Sequence, residues 1–442
     1  MNTNVLGQEK IWKLFIKYSV PAIIGMLVLG MDAIIDGYFV GNYIGANGLA
    51  STNIAMPFNS IILTIGIIVG IGVQSIIGRS LGQQNHTNAK NAFKTAIIMI
   101  TAICILTTLG SILFAEHIAM FLGANAEIIE DTVTYIRYSS IFLPFIGLML
   151  VLDYVLKVIG KPTYAMVTLV VSIVLNILLS YIMILQLNIG IKGAALASGF
   201  AYCFAVILAV IPFAITNKTV LSDGSFDKKI AYNIIYNGSS EGLGELGTAI
   251  TTFLFNITLI RYTGELGVAA FTAISYLTFI GTNILLGLSD GIGSIVSYNY
   301  GSGQIKRIKK VLGLTAITAT IIGITIFFAI FSFGSNLIYI FLNVENSEIL
   351  NFAVTGAKIY AFAFLISGLN IIASGFFTAI GSPGKSAIIA LNKGLIWISI
   401  GIIIYPQLFG IQGIWLAVPI AELITLSLSM ILFYNQFKTN QL

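Results

Sequence analysis

Long apolar runs alternate with short polar breaks along the whole chain. A membrane-crossing helix needs about 20 mainly apolar residues. Twelve runs meet that length, at 14–40, 52–78, 93–115, 134–158, 165–187, 194–216, 233–260, 267–298, 312–334, 354–379, 387–407 and 412–435. Several are longer than the hydrocarbon layer requires, so tilt or extension beyond it is expected. The longest internal polar connection, 217–231, carries Lys218, Asp223, Asp227, Lys228 and Lys229 and is too short for a soluble domain. Residues 1–17 are polar and amphipathic. The apolar run that follows outlasts a signal peptide and lacks an Ala-x-Ala site, so no cleavable signal is expected.

The run pattern is duplicated. Residues 18–85 align without a gap to 237–304 at an offset of 219, with twelve identities in 68 positions. Composition alone would give roughly five. The matches include Gly45/Gly264, Gly48/Gly267, Gly72/Gly291 and Ser75/Ser294. The register continues downstream, where Gly160-Lys161-Pro162 meets Gly381-Ser382-Pro383 and Gly190-Ile191-Lys192-Gly193 meets Gly410-Ile411-Gln412-Gly413. Each copy has an even number of spans, so the halves share one orientation as parallel repeats. The division is a lobe at 1–216, a linker at 217–231 and a second lobe at 232–442. Tandem repeats of this kind place a transport site between the halves near the midplane. Pro21 and Pro144 fall within or near spans, where proline can kink a helix.

Composition removes the alternatives to a membrane protein. Of 442 residues, 57% are hydrophobic and 9% charged, against about 25% charged in soluble domains. Such hydrophobicity also excludes disorder. Cys104 and Cys203 lie in apolar runs without metal-ligand spacing and read as buried small hydrophobes. The net charge of +5 follows from topology rather than from nucleic acid. One side of the spans receives 17 of the 22 basic residues, among them Lys10, Lys94, Lys218, Lys229, Arg307 and Lys310. The opposite side collects Glu116, Glu127, Glu130, Asp131, Glu345 and Glu348. By the positive-inside rule both termini and the linker are cytoplasmic.

Carboxylates inside spans are costly and mark pathways, proton relays or ion sites. Seven of the 17 acids fall there: Asp32, Asp36, Asp153, Glu241, Glu245, Asp290 and Glu422. Lys393 and Lys157 are the available counter-charges, so the excess is negative and favours cations. Asp32 and Asp36 share a helix face four residues apart, and Glu241 and Glu245 repeat that spacing. Two carboxylates so close resist simultaneous ionisation. Asp153 and Lys157, also four apart, read as a structural pair. Asp290 stands evenly between a solvated and a functional position, and Glu422 can pair with Lys393 across helices.

The segment Tyr18-Ser19-Val20-Pro21 leads to Ile35-Asp36-Gly37-Tyr38-Phe39-Val40-Gly41, then to Gly45 and Gly48-Leu49-Ala50. Leu175-Asn176-Ile177-Leu178, Gly193-Ala194-Ala195-Leu196-Ala197-Ser198 and Ser297-Tyr298-Asn299-Tyr300-Gly301 follow. In order and spacing these resemble the multidrug and toxic compound extrusion (MATE) family, nearer its bacterial DinF-like branch, over essentially the whole chain. The resemblance implies twelve transmembrane helices in a V-shaped pair of six-helix lobes, with efflux coupled to proton or sodium entry. It implies a cation site centred on Asp36, with Asn176 as a second member and Ser198 where a threonine often lies. The family's aspartate one turn after the asparagine is replaced here by Ser180, and Asp32 is the candidate to restore that charge. Glu241 resembles an acid at the start of the C-terminal lobe. The family's other acid there, on the tenth helix, has no counterpart in Ser367-Gly368-Leu369-Asn370.

The expected protein is a cation-coupled antiporter that exports amphipathic organic cations by alternating access. Glu241, Glu245, Tyr38, Tyr138 and Tyr276 are candidates for its substrate cleft, the tyrosines because ring faces hold cations. A proton or sodium ion is the coupling ion, with sodium placed at Asp36 and Asn176, and no organic cofactor is expected. The partners expected are substrate and bilayer, with no nucleic acid, and the chain is expected to be a monomer in a bacterial plasma membrane. A flippase for lipid-linked precursors is the nearest alternative, disfavoured by the acidic interior. No His-Glu-x-x-His motif is present, and the only histidines are His86 and His117, so an enzyme is not expected.

Overall fold

The computed structural model describes residues 5–215, 223–341 and 347–438, all of it helix and connection with no strand among them. Lys218 and Glu345 lie outside the described residues. Among the described residues, ten helices are long and apolar enough to cross a membrane, or twelve when each of two bent pairs is one span. After a short α1 (Val5–Gln8), the first half comprises α2 (Ile11–Tyr43), α3 (Ala46–Gly82), α4 (His86–Phe121), α5 (Ile129–Ser140), α6 (Leu143–Val158), α7 (Pro162–Ser180) and α8 (Ile191–Ile215). The second comprises α9 (Lys228–Thr263), α10 (Glu265–Gly301), α11 (Ile305–Phe341), α12 (Ser347–Ala361), α13 (Phe364–Ala379), α14 (Pro383–Leu391), α15 (Trp397–Phe409) and α16 (Ala417–Lys438). Most helices outrun their apolar stretches because polar end residues continue the backbone ladder beyond the hydrocarbon.

The bent pairs are α5 with α6 and α12 with α13, each turned by 50°. They are the fourth spans of the two halves. Pro144 sits in the first turn of α6, where a missing N–H costs nothing. No proline stands at the break before α13, so the bend belongs to the repeat and not to the proline. Pro162 and Pro383 likewise open α7 and α14 at matched positions. Lys161 and Ser382 precede these prolines at the turn, as the restriction on a pre-proline residue requires.

Two compact units result. One contains α1 and Ile24–Gly238; the other contains Glu9–Ile23 and the chain from Ser239 onward. The divisions therefore fall inside α2, just after Pro21, and inside α9, rather than in the 217–231 connection. After that connection, Ser225 N donates to Asn91 Oδ1 at 2.9 Å and Asp227 N to Thr95 Oγ1 at 3.0 Å, tying it to α4 of the first unit.

The repeat-matched glycines show why these positions lack a side chain. Gly45 and Gly264, in the first turn of each half, adopt φ of 104° and 69°, a region disfavoured for residues with a Cβ. Gly72 on α3 lies against the backbone of Ile234, and Gly291 on α10 against that of Tyr18 and Ser19. A Cβ at either would fall inside van der Waals contact with main-chain atoms that cannot turn away. Gly72→Ala is therefore expected to lower stability by about 1–3 kcal/mol, read as a lower melting temperature in detergent. Gly110→Ala, facing open space, should leave it unchanged. Equal melting temperatures for the two variants would contradict the close approach.

Candidate functional site

In the first unit, α2, α7 and α8 bring three of the predicted residues into direct contact. Asn176 Nδ2 donates to Asp36 Oδ1 at 3.2 Å and to Ser198 Oγ at 2.9 Å. Ser198 Oγ approaches Asp36 Oδ2 at 2.9 Å and Ala194 O at 3.2 Å. Its single proton serves one of these, and the shorter, charge-assisted bond to the carboxylate is favoured. Each carboxylate oxygen of Asp36 thus has a donor. No basic side chain pairs with it among the described residues.

Asp32, one turn earlier, accepts a 2.6 Å hydrogen bond from Tyr202 Oη. The pairings Asp36 with Ser198 and Asp32 with Tyr202 are both four residues apart on their helices, so α2 and α8 meet along one face. Tyr202 also packs on an apolar cluster of Met149, Leu150, Leu169 and Ala205, against which Val28 and Leu29 lie. That floor fixes both the ring and the turn of α2 that carries Asp32. Tyr135 on α5 is buried, shares a hydrogen bond with Asn59, and lies within electrostatic reach of both aspartates.

Tyr202 and Tyr135 were not singled out by sequence. The usable signal was spacing: Ser198 and Tyr202 repeat the interval between Asp36 and Asp32. The tyrosines that were singled out lie elsewhere. Tyr38 and Tyr276 are exposed, and Tyr138 sits under the Lys192 ammonium at 5.8 Å. Ser180, at the end of α7 where a π-helical turn Tyr181–Gln186 begins, is buried and its hydroxyl has no partner. Asn176 Oδ1 is also buried and unpartnered. Such an acceptor in an apolar interior is a ready ligand for a cation.

In the second unit the position matched to Asp36 is Phe255. Its ring stacks on Phe271 at 4.6 Å and on Trp415 at 6.3 Å. The acids of this unit gather at another level, around the π-helical turn Asn392–Ile396 that joins α14 to α15. Gly244 and Gly247 of α9 lie against Gly394 and let the two backbones approach closely. Lys393, beside that contact, comes within electrostatic reach of Glu241 and Glu245. Its ammonium is 3.9 Å from Glu422 Oε1. Asn370 Nδ2 donates to Glu422 Oε2 at 2.7 Å and to its main-chain oxygen at 2.8 Å. Ser429 Oγ donates to Asn370 Oδ1 at 3.0 Å. Asp290 faces Glu241 across α10 and α9 within electrostatic reach. The remaining buried acid, Asp153, forms a 2.5 Å ion pair with Lys157 on the same helix.

The MatE family model matches this chain twice, over residues 21–182 and 243–403, once in each half. The multidrug export protein MepA of Staphylococcus saprophyticus is 26% identical over 430 residues, 97% of this chain and 94% of that protein. The protein of the same name from Staphylococcus aureus strain MRSA252 is 24% identical over 431 residues, with the same coverage. Among solved structures, a multidrug resistance MATE family transporter of the MOP superfamily in an outward-facing conformation superposes with a TM-score of 0.92 at 22% identity. The match covers 99% of this chain and 98% of that one. A MATE structure in a bent conformation matches with the same score, identity and coverage.

Proposed function

Because the chain belongs to the MatE family of multidrug efflux transporters, we propose that it is an antiporter exporting amphipathic organic cations in exchange for a proton or a sodium ion. The observation that carries this reading is Asp36: a carboxylate in a spanning helix, held by Asn176 and Ser198 but by no basic side chain among the described residues. A lone carboxylate in a low-dielectric setting demands a counter-ion. A proton meets that demand by neutralising Asp36. Sodium meets it through oxygen ligands, of which Asp36 and the free Asn176 Oδ1 supply the first. Asp32 is the second charge near this position and takes the part of the acid replaced by Ser180.

Ion and substrate need only favour different conformations for one gradient to drive the other. Substrate is taken by carboxylates of the second unit, Glu241 and Glu245, and the exposed ring of Tyr276 in the same unit adds a face for a cation. The chain works as a monomer in a bacterial plasma membrane with both termini cytoplasmic, the arrangement that its basic residues favour.

The test is purified protein in proteoliposomes loaded with a fluorescent organic cation, with sodium and proton gradients imposed separately. One of the two gradients is expected to drive export well above the leak. Export that responds to neither gradient would sink the antiport reading.

A further inference from the structure

The second unit holds a cation of its own among its acids. Lys393 stands on a five-residue π-helical turn, a feature that often marks function in a helix. The matched helix of the first half has no such turn there, since its π-helical residues come later, at Tyr181–Gln186. The acids Glu241, Glu245 and Glu422 all sense the Lys393 charge. Yet the ammonium makes no hydrogen bond to any of them among the described residues, and its one ion pair is the 3.9 Å contact with Glu422.

The contrast with Lys157, whose ammonium is bonded to Asp153 at 2.5 Å, is chemical. Lys157 is a fixed partner. Lys393 is a loosely held cation on a flexible stem, with its side chain 26% exposed. Glu422, by comparison, is fixed by Asn370 and has no need of the lysine for its position. Two more groups complete the setting. Ser367, one turn before Asn370, and Thr425, one turn after Glu422, are buried with hydroxyls that have no partner. Buried hydroxyls with no partner are available to contact a bound molecule.

We propose that Lys393 is a tethered stand-in for the substrate's cationic head: it offsets part of the negative charge of the second unit's acids when no ligand is bound and yields its place to a lipophilic monovalent organic cation. This rests on the reading of the protein as an exporter of organic cations. Lys393 is then a specificity-determining residue. One built-in ammonium is exchanged for one ligand charge, which suits a ligand of single charge, while removal of the ammonium would favour ligands of higher charge. The lysine, back in place between cycles, also keeps the site from trapping inorganic cations, since any entrant must compete with a cation whose effective concentration is set by its tether.

The experiment is equilibrium binding of tetraphenylphosphonium, of a dicationic analogue and of a neutral dye to purified protein. Lys393→Met is expected to bind the monocation roughly tenfold more tightly than the parent, to gain more for the dication, and to leave the neutral dye unchanged. Lys393→Arg should keep the parent affinities. Monocation affinity that is unchanged or weaker in Lys393→Met, at an unaltered melting temperature, overturns the proposal.

Should Lys393→Met fail to fold, Lys393→Cys in a background without Cys104 and Cys203 serves instead. An aminoethyl thiol adduct, which restores the ammonium, must return the parent affinity, and a neutral methyl adduct must not; equal affinities for the two adducts overturn the proposal. Binding is read without a gradient. Failure of gradient-driven export in the parent would therefore count against antiport alone, and failure of the lysine substitution against this inference alone.

Discussion

Asp36→Asn loses gradient-driven export, by at least about tenfold, while the protein still folds and inserts. The substitution keeps the size and planarity of the side chain and removes only the charge. Asn176 and Ser198 now face an amide, so one of their donors meets another donor. The charge-assisted bonds are worth about 1.5–3 kcal/mol, and a tenfold change corresponds to about 1.4 kcal/mol. The larger loss is functional, because a neutral amide takes up no proton and lacks the negative charge that a sodium ion would compensate in exchange. Export and counter-ion flux measured in the same vesicles check this. Full export by Asp36→Asn at the parent rate would remove Asp36 from coupling. Ser180→Ala, which deletes a hydroxyl that bonds to nothing, is expected to have little effect beside it.

The second large effect concerns stability. Lys157→Met is expected to destabilise the protein by about 3–5 kcal/mol, because it takes the counter-charge from the buried Asp153 carboxylate in the first unit. Both side chains are nearly inaccessible, at 6% and 4% exposure, and the Lys157 ammonium also lies 4.9 Å from the Tyr154 ring centre. Replacing both partners together, as Asp153→Leu with Lys157→Met, should recover most of the loss, since no charge then remains to be desolvated. Melting in detergent of the two single variants and the double variant decides the matter. Additive losses would show that the pair acts through something other than mutual compensation.

These two carboxylates mark the limit of what spacing can tell. Asp36 with Asp32, and Asp153 with Lys157, are both four residues apart on apolar helices. The second interval already suggested a pair, because opposite charges on one helix face find each other locally. The partners of Asp36 and Asp32 lie 140 to 170 residues away, and no local rule reaches that far. The contact with Asn176 and Ser198 was legible only through resemblance. Tyr202 had only its spacing from Ser198 to mark it, and a tyrosine in a spanning helix is most often an interfacial anchor.

The spans were readable because apolar length is a property of single segments. Their breaks were less so. The bend before α6 had a proline to announce it, but its twin before α13 had none. Repeat identities carried more than they first suggested. Gly45/Gly264 and Gly72/Gly291 look like composition in a glycine-rich chain, yet one pair answers a backbone angle and the other a backbone approach.

The places where the compact units divide alter the meaning of the duplication. The opening stretch of each half, Glu9–Ile23 in one case and the start of α9 in the other, belongs to the unit made mainly by the opposite half. Cutting the chain in the polar connection would leave each fragment carrying a piece of its neighbour and lacking a piece of itself. The arrangement is a reciprocal arm exchange within one polypeptide, the intramolecular form of domain swapping.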